Sequence, residues 1–128
     1  MTKSRSITIP GVPMPAGPYA HGRIHDDLVW VTGQIGKDPV SGKIVTGGFE
    51  AEFNQAITNL ESVLKAAGAS LANVVWAQIE YLDEANMDAM NRVYGERFTE
   101  PYPARVSFGV PFIWKGGQIM INCIATLS

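Results

Sequence analysis

Residues 118–127 constrain this chain more than any other stretch. Laid out as a strand, they put Ile119, Ile121, Cys123, Ala125 and Leu127 on one face and Met120, Asn122, Ile124 and Thr126 on the other. The first face is wholly apolar and the second half apolar. Leu28-Val29-Trp30-Val31 likewise has no polar side. An antiparallel sheet with one wet face normally alternates cleanly between apolar and polar residues. These strands therefore need cover on both faces, and whatever covers them sets the architecture.

Two helices are available as cover. Phe49, Phe53, Ile57, Leu60, Leu64 and Ala67 recur at intervals of three and four, the apolar stripe of one helix. Gly47-Gly48 opens it, Glu50 and Glu52 stand in its first turn where the helix dipole favours acids, and Gly68 suits the position just past its end. A second helix starts within 83–86, with Met87, Met90, Tyr94 and Phe98 on its apolar face. This Met and aromatic stripe reads as core rather than as a cofactor box. Strands are predicted over 19–25, 28–35, 74–81, from Ala104 onward, and over 118–127. Asp26-Asp27 suits a hairpin turn, 37–42 is a second turn and Trp114-Lys115-Gly116-Gly117 a third, while the Pro- and Gly-rich 10–18 is an ordered loop. The order is β-β-α-β-α-β-β, an α/β fold of the α+β kind, with both helices on one face of a mixed sheet. The other face stays bare. A large bare apolar face marks an interface. The chain is therefore expected to form a homo-oligomer, and cyclic closure would leave ligand pockets between subunits.

With 128 residues the chain is expected to be one domain, 1–128, large enough for its own core. A net charge of −2 and ten scattered Lys and Arg leave no basic stripe, which argues against nucleic acid as a partner but not against a small anion. The apolar runs are far too short to cross a bilayer, so no membrane partner is expected. Residues 1–9 are polar and lack the long apolar core of a signal peptide, so the expected location is the cytoplasm. The single cysteine, Cys123, excludes an intrachain disulfide and a Cys-rich zinc site, and reads as a buried small hydrophobe. His21 and His25, if they share a strand, would lie roughly 13 Å apart at about 3.3 Å per residue. That makes a poor metal pair, and no metal site is expected. Gly47-Gly48 lacks the Gly-Lys-Ser/Thr of a phosphate loop, and no Gly-x-Ser-x-Gly is present.

Chemistry gathers at Arg105. Pro101 and Pro103 close a loop, and a strand begins after them. Ala104, Val106 and Phe108 then fall on one face, Arg105, Ser107 and Gly109 on the other. A guanidinium stands among small neighbours, as a site for a small anionic molecule requires. Its fork would hold a carboxylate bidentately.

Further motifs are similar to the RidA (YjgF) family over nearly the whole chain. Gly17-Pro18-Tyr19-Ala20, Thr32-Gly33-Gln34-Ile35, Asp38-Pro39 and Ser41-Gly42 resemble its first half. Asn59-Leu60, Ala66-Ala67-Gly68-Ala69-Ser70-Leu71 with Val74-Val75, Met90-Asn91-Arg92-Val93-Tyr94 and Pro103-Ala104-Arg105 resemble its second half. The resemblance implies a chorismate-mutase-like fold assembled as a homotrimer, with sheets packed inward as a central barrel and pockets between subunits. It implies deamination of reactive imines and enamines, typically 2-imino acids, to a keto product and ammonia, without metal or organic cofactor. It assigns Arg105 to substrate binding and catalysis, Tyr19 to the pocket lining, Gly33 to a strand facing the ligand and Asn91 to the site region. Three positions depart from the family pattern and fall in the same site. Met120 holds the place of a glutamate to which the resemblance assigns the attacking water, and methionine neither takes nor gives a proton. Ser107 holds the place of a cysteine. His21 holds the place of a glutamine, and a histidine titrates near neutral pH.

Three functions fit these residues. The first is an imine or enamine deaminase acting on a small carboxylate. The second is a non-catalytic small-carboxylate-binding protein or sensor, with Met120 adding apolar contact. The third is an endoribonuclease or translation inhibitor, against which the acidic charge counts. For Arg105 the structural alternative is an ion pair, with Glu80 or with an acid of another subunit.

Overall fold

The structure is a computed structural model and describes residues 4–127. Among these residues six strands and two α-helices run in the order β1 (Ser4–Ser6), β2 (Gly22–His25), β3 (Leu28–Ile35), α1 (Phe49–Ala66), β4 (Val74–Tyr81), α2 (Met87–Arg97), β5 (Ala104–Gly109) and β6 (Ile119–Thr126). They form one mixed sheet in the order β1-β2-β3-β6-β4-β5, antiparallel except where β4 pairs with β5.

The sheet order explains the bare face. β3 and β4 both lie antiparallel to β6, so β3, β4 and β5 run the same way. The chain crosses from β3 to β4 through α1 and from β4 to β5 through α2, stepping in the same direction each time. Such crossovers have one hand, so both helices arrive on one face. α1 packs on β3 and β6 and against α2. Phe53, Ile57, Leu60 and Leu64 of its stripe are buried against Val29, Val31, Ile79, Ile119 and Ile121 of the sheet. Cys123 is buried on the same side, and burial pushes its thiol up to about 12, so it is a packing residue as expected. On the other face, Leu28, Trp30, Val106 and Phe108 are exposed.

The sequence expectations for β3, α1, β4 and the start of β5 agree with the structure. Two others change. β1 was not expected: its three residues are polar and wholly exposed, so no apolar alternation announces it. The strand expected over 19–25 begins only at Gly22. The Tyr19 N–H is taken by the Gly17 carbonyl (2.8 Å) and the Ala20 carbonyl by the Thr32 hydroxyl (2.6 Å), so the ladder stops there. His21 therefore lies ahead of the strand that holds His25. The Asp26-Asp27 hairpin is present, with Asp26 in the left-handed region at φ 52°, a conformation aspartate tolerates better than most residues.

Two polar side chains of α1 fix the far end of the sheet. Asn59 Nδ2 donates to the Ile35 carbonyl (3.0 Å) and to the Lys37 carbonyl (2.9 Å). Glu52 is buried and accepts from the Gln118 backbone N–H and side-chain amide. Gly36 sits so close to this turn that an added Cβ would stand 2.2 Å from the Glu52 carbonyl oxygen.

Candidate functional site

Arg105 is on the edge strand β5, and its partner across the ladder is Ala77, a fully buried residue of the helix-covered face. The guanidinium thus reaches toward α2. It lies over the Tyr94 ring, 4.7 Å from the centroid, and its Nη2 donates to Asn91 Oδ1 at 2.7 Å. Asn91 and Tyr94 are three apart on α2, hence neighbours on its surface. No carboxylate pairs with Arg105 among the described residues. Glu80 in particular lies on the opposite face of the sheet: its ladder partners are Phe108 and Met120. The ion pair considered above is therefore not formed within the chain.

Ser107 pairs with Ile79 and shares the helix-covered face with Arg105. Its Oγ and the Tyr94 hydroxyl are buried without a hydrogen-bond partner among the described residues. Burial pushes Tyr94 up to about 12, against a smaller opposing effect of Arg105, so the ring stays neutral at ordinary pH. Tyr94 also stacks on Phe98, with centroids 4.2 Å apart. Sequence patterning made Tyr94 a core residue, and it is one. Its second role, as the platform for Arg105, has no signature in a helical stripe.

Met120 and Gly33 meet elsewhere. β3 breaks register with β6 between Val31 and Gln34, and Gly33 lies in that irregularity. An added Cβ at Gly33 would come 2.9 Å from Met120 Sδ, so the methionine thioether covers this backbone. Tyr19 and His21 border an open cleft of about 350 Å³ with Ser6, Met14 and Pro15. His21 Nε2 bonds the Pro13 carbonyl at 2.9 Å and so holds the Pro-rich loop. The Thr32 N–H donates to the His21 carbonyl at 3.0 Å, which ties this cleft to the Gly33 irregularity.

The predicted site residues thus fall into two groups. Arg105, Asn91 and Ser107 gather on the helix-covered side of the β5 edge. Gly33 and Met120 lie together in the β3–β6 part of the sheet, where Met120 shares the bare face with Glu80, and the Tyr19–His21 segment is attached beside them. One chain does not bring the two groups together. Glu80 is a residue that sequence reading used only as a possible partner for Arg105. Its signal was a lone acid in the largely apolar stretch Val74 to Tyr81. Among the described residues no group of His, Cys, Asp and Glu is arranged to hold a metal ion. No helix is long and apolar enough to cross a membrane.

Comparison with known proteins gives the relatives of this arrangement. Residues 11–127 match the model of the family described as Endoribonuclease L-PSP. The chain is 39% identical over 121 residues to the 2-iminobutanoate/2-iminopropanoate deaminase of Capra hircus, which covers 94% of this chain and 88% of that protein. Its fold superposes on the crystal structure of RidA from the Antarctic bacterium Psychrobacter sp. PAMC 21119 with a TM-score of 0.89 at 30% identity, covering 95% of this chain and 98% of that one. It superposes on E. coli TdcF with bound serine with a TM-score of 0.88 at 25% identity, covering 97% and 99%. On a match that spans nearly its whole length, in sequence and in fold, this chain belongs to the RidA (YjgF) family, the family of the Endoribonuclease L-PSP model.

Proposed function

We propose that this chain is an imine deaminase, a hydrolase that converts a reactive 2-imino acid or a related enamine to the keto compound and ammonia. The observation that carries this reading is the state of Arg105: stacked on Tyr94, tethered by Asn91, and without a carboxylate partner among the described residues. A cation held in one orientation and left unpaired is suited to a ligand carboxylate, and a hydrogen bond to a charged group contributes about 1.5–3 kcal/mol. The name of the Capra hircus relative, a 2-iminobutanoate/2-iminopropanoate deaminase, supports the substrate class. The serine bound to TdcF supports a small carboxylate as ligand.

In this reading the chain acts as a single domain in a cytoplasmic homotrimer, and the bare sheet face is buried between copies. Each pocket joins the two groups of residues across an interface. Arg105, Asn91 and Ser107 come from one subunit; Tyr19, His21, Gly33 and Met120 come from the next. The carboxylate sits on the Arg105 fork, and the C=N carbon faces the Gly33 backbone. Water adds to that carbon, the nitrogen takes a proton, and the carbinolamine releases ammonia to leave the carbonyl. Imines are already labile to water, so holding water and carbon together contributes much of the rate. No metal or organic cofactor enters this scheme, and nucleic acid is not a partner.

The test is ammonia release from freshly generated 2-iminobutanoate and 2-iminopropanoate, with Arg105→Ala as control. Acceleration by the wild type and its loss in the variant are expected. Full activity in Arg105→Ala would remove Arg105 from the reaction. Met120 covering Gly33 favours a second reading, a small-carboxylate sensor; thermal stabilisation by 2-ketobutanoate with no turnover of either imine would establish it instead.

A further inference from the structure

We propose that Glu80 is the acid–base carboxylate of this pocket, acting from the strand beside Met120. The inference rests on the deaminase reading. Imine hydrolysis needs a group that takes a proton from water and returns one to nitrogen, and Met120 does neither. Glu80 is the direct ladder partner of Met120 and lies on the same face. Neighbouring strands are about 4.8 Å apart, so Glu80 and Met120 stand side by side on this face.

Its surroundings are those of a working group. Glu80 is 6% exposed. Gln78 Nε2 donates to Oε1 at 2.8 Å and Asn122 Nδ2 at 3.5 Å, while Oε2 is buried with no partner. Two amides hold one oxygen and leave the other unoccupied. A buried acceptor without a partner is rare in folded proteins and asks for a reason; a proton shared with substrate water supplies one. The neighbours on this face are Trp76, Gln78, Val106, Phe108, Met120 and Asn122, none of which titrates. Burial raises the carboxyl above its ordinary value, against the smaller lowering effect of the Gln78 hydrogen bond.

The steps balance. The ionised Oε2 takes a proton from water as its oxygen bonds to the C=N carbon; the C=N electron pair moves to nitrogen, which takes a proton from solvent. Protonated Glu80 then gives its proton to the amine, the C–N bond breaks, ammonia leaves, and the hydroxyl releases its proton to solvent as the C=O bond forms. Glu80 ends as it began.

The test compares the whole protein with Glu80→Gln, which keeps shape and the Oε1 contacts, and with Glu80→Gln/Met120→Glu, which returns a carboxylate from the next strand. With 2-iminobutanoate, Glu80→Gln is expected to lose about 100-fold or more in kcat with little change in KM, and to lose the acidic limb of the wild-type pH profile. The double variant is expected to recover part of the rate. Wild type active and Glu80→Gln equally active overturns this inference and leaves the deaminase standing. A loss in KM rather than kcat, with no recovery in the double variant, also overturns it by making Glu80 structural. Inactive wild type overturns the deaminase reading first.

Discussion

The guanidinium of Arg105 lies over the Tyr94 ring, 4.7 Å from its centroid. Tyr94 is itself fixed by its stack on Phe98 and by burial. The fork is therefore aimed before any ligand arrives, and the ordering cost of binding is reduced.

This arrangement separates charge from orientation. Arg105→Lys keeps the charge but loses the planar fork and its stacking, and is expected to lose about 10-fold or more in kcat/KM. Tyr94→Phe keeps the platform and should change activity little, whereas Tyr94→Leu should raise KM. Steady-state kinetics with thermal denaturation of each variant checks the set; equal kinetics in Arg105→Lys would show that charge alone suffices.

Two glycines invite opposite outcomes. At Gly36 an added Cβ meets the backbone oxygen of Glu52, which has no freedom to move. Gly36→Ala should cost about 3 kcal/mol or more, read as a lower denaturation midpoint. At Gly33 the obstacle is the end of the flexible Met120 side chain. Gly33→Ala should fold with nearly unchanged stability and alter KM instead. Equal destabilisation at both positions would refute the distinction.

Stability should depend on pH through Glu80. Burial makes the folded chain hold this proton more tightly than the unfolded chain does. Stability from this group is then present at acid pH and falls as pH rises from the ordinary glutamate value through the raised one. Glu80→Gln removes that decline, so as pH rises from the ordinary glutamate value its melting temperature should drop less than that of the wild type. A substitution expected to slow the reaction would thus make the fold less sensitive to rising pH, a trade common at reactive sites.

The bare sheet face should control assembly. Trp30 is 41% exposed there and pairs with Ile124 across the ladder. Trp30→Glu places a charge in any interface formed by this face. The expected result is a trimer for wild type and a folded monomer for the variant, by light scattering and circular dichroism. A trimer that survives the substitution would move the interface elsewhere.

Much of this was legible in the chain. The double-apolar run in β6 and the stripe of α1 carried the layer arrangement, because burial leaves periodicity in the residues themselves. β4 and β3 were bounded by turns with strong local chemistry, so their ends were readable. β1 was not, since a short exposed strand pairs by backbone alone. The pairing of Arg105 with Asn91 and Tyr94 depends on where α2 crosses the β5 edge, which no local pattern encodes. Glu80 was visible as an acid in an apolar strand, but only the register with β6 shows that it stands beside Met120 rather than near Arg105.

The division of site residues between two regions of one chain has a genetic counterpart. If each pocket draws one half from each of two copies, a subunit defective in Arg105 still lends an intact Glu80 half to its neighbour, and the reverse holds. Two inactive proteins, Arg105→Ala and Glu80→Gln, would then complement when unfolded and reassembled together. In a ring built at random from equal amounts, about a quarter of the pockets would carry both good halves. Activity would arise from a mixture in which every chain is broken.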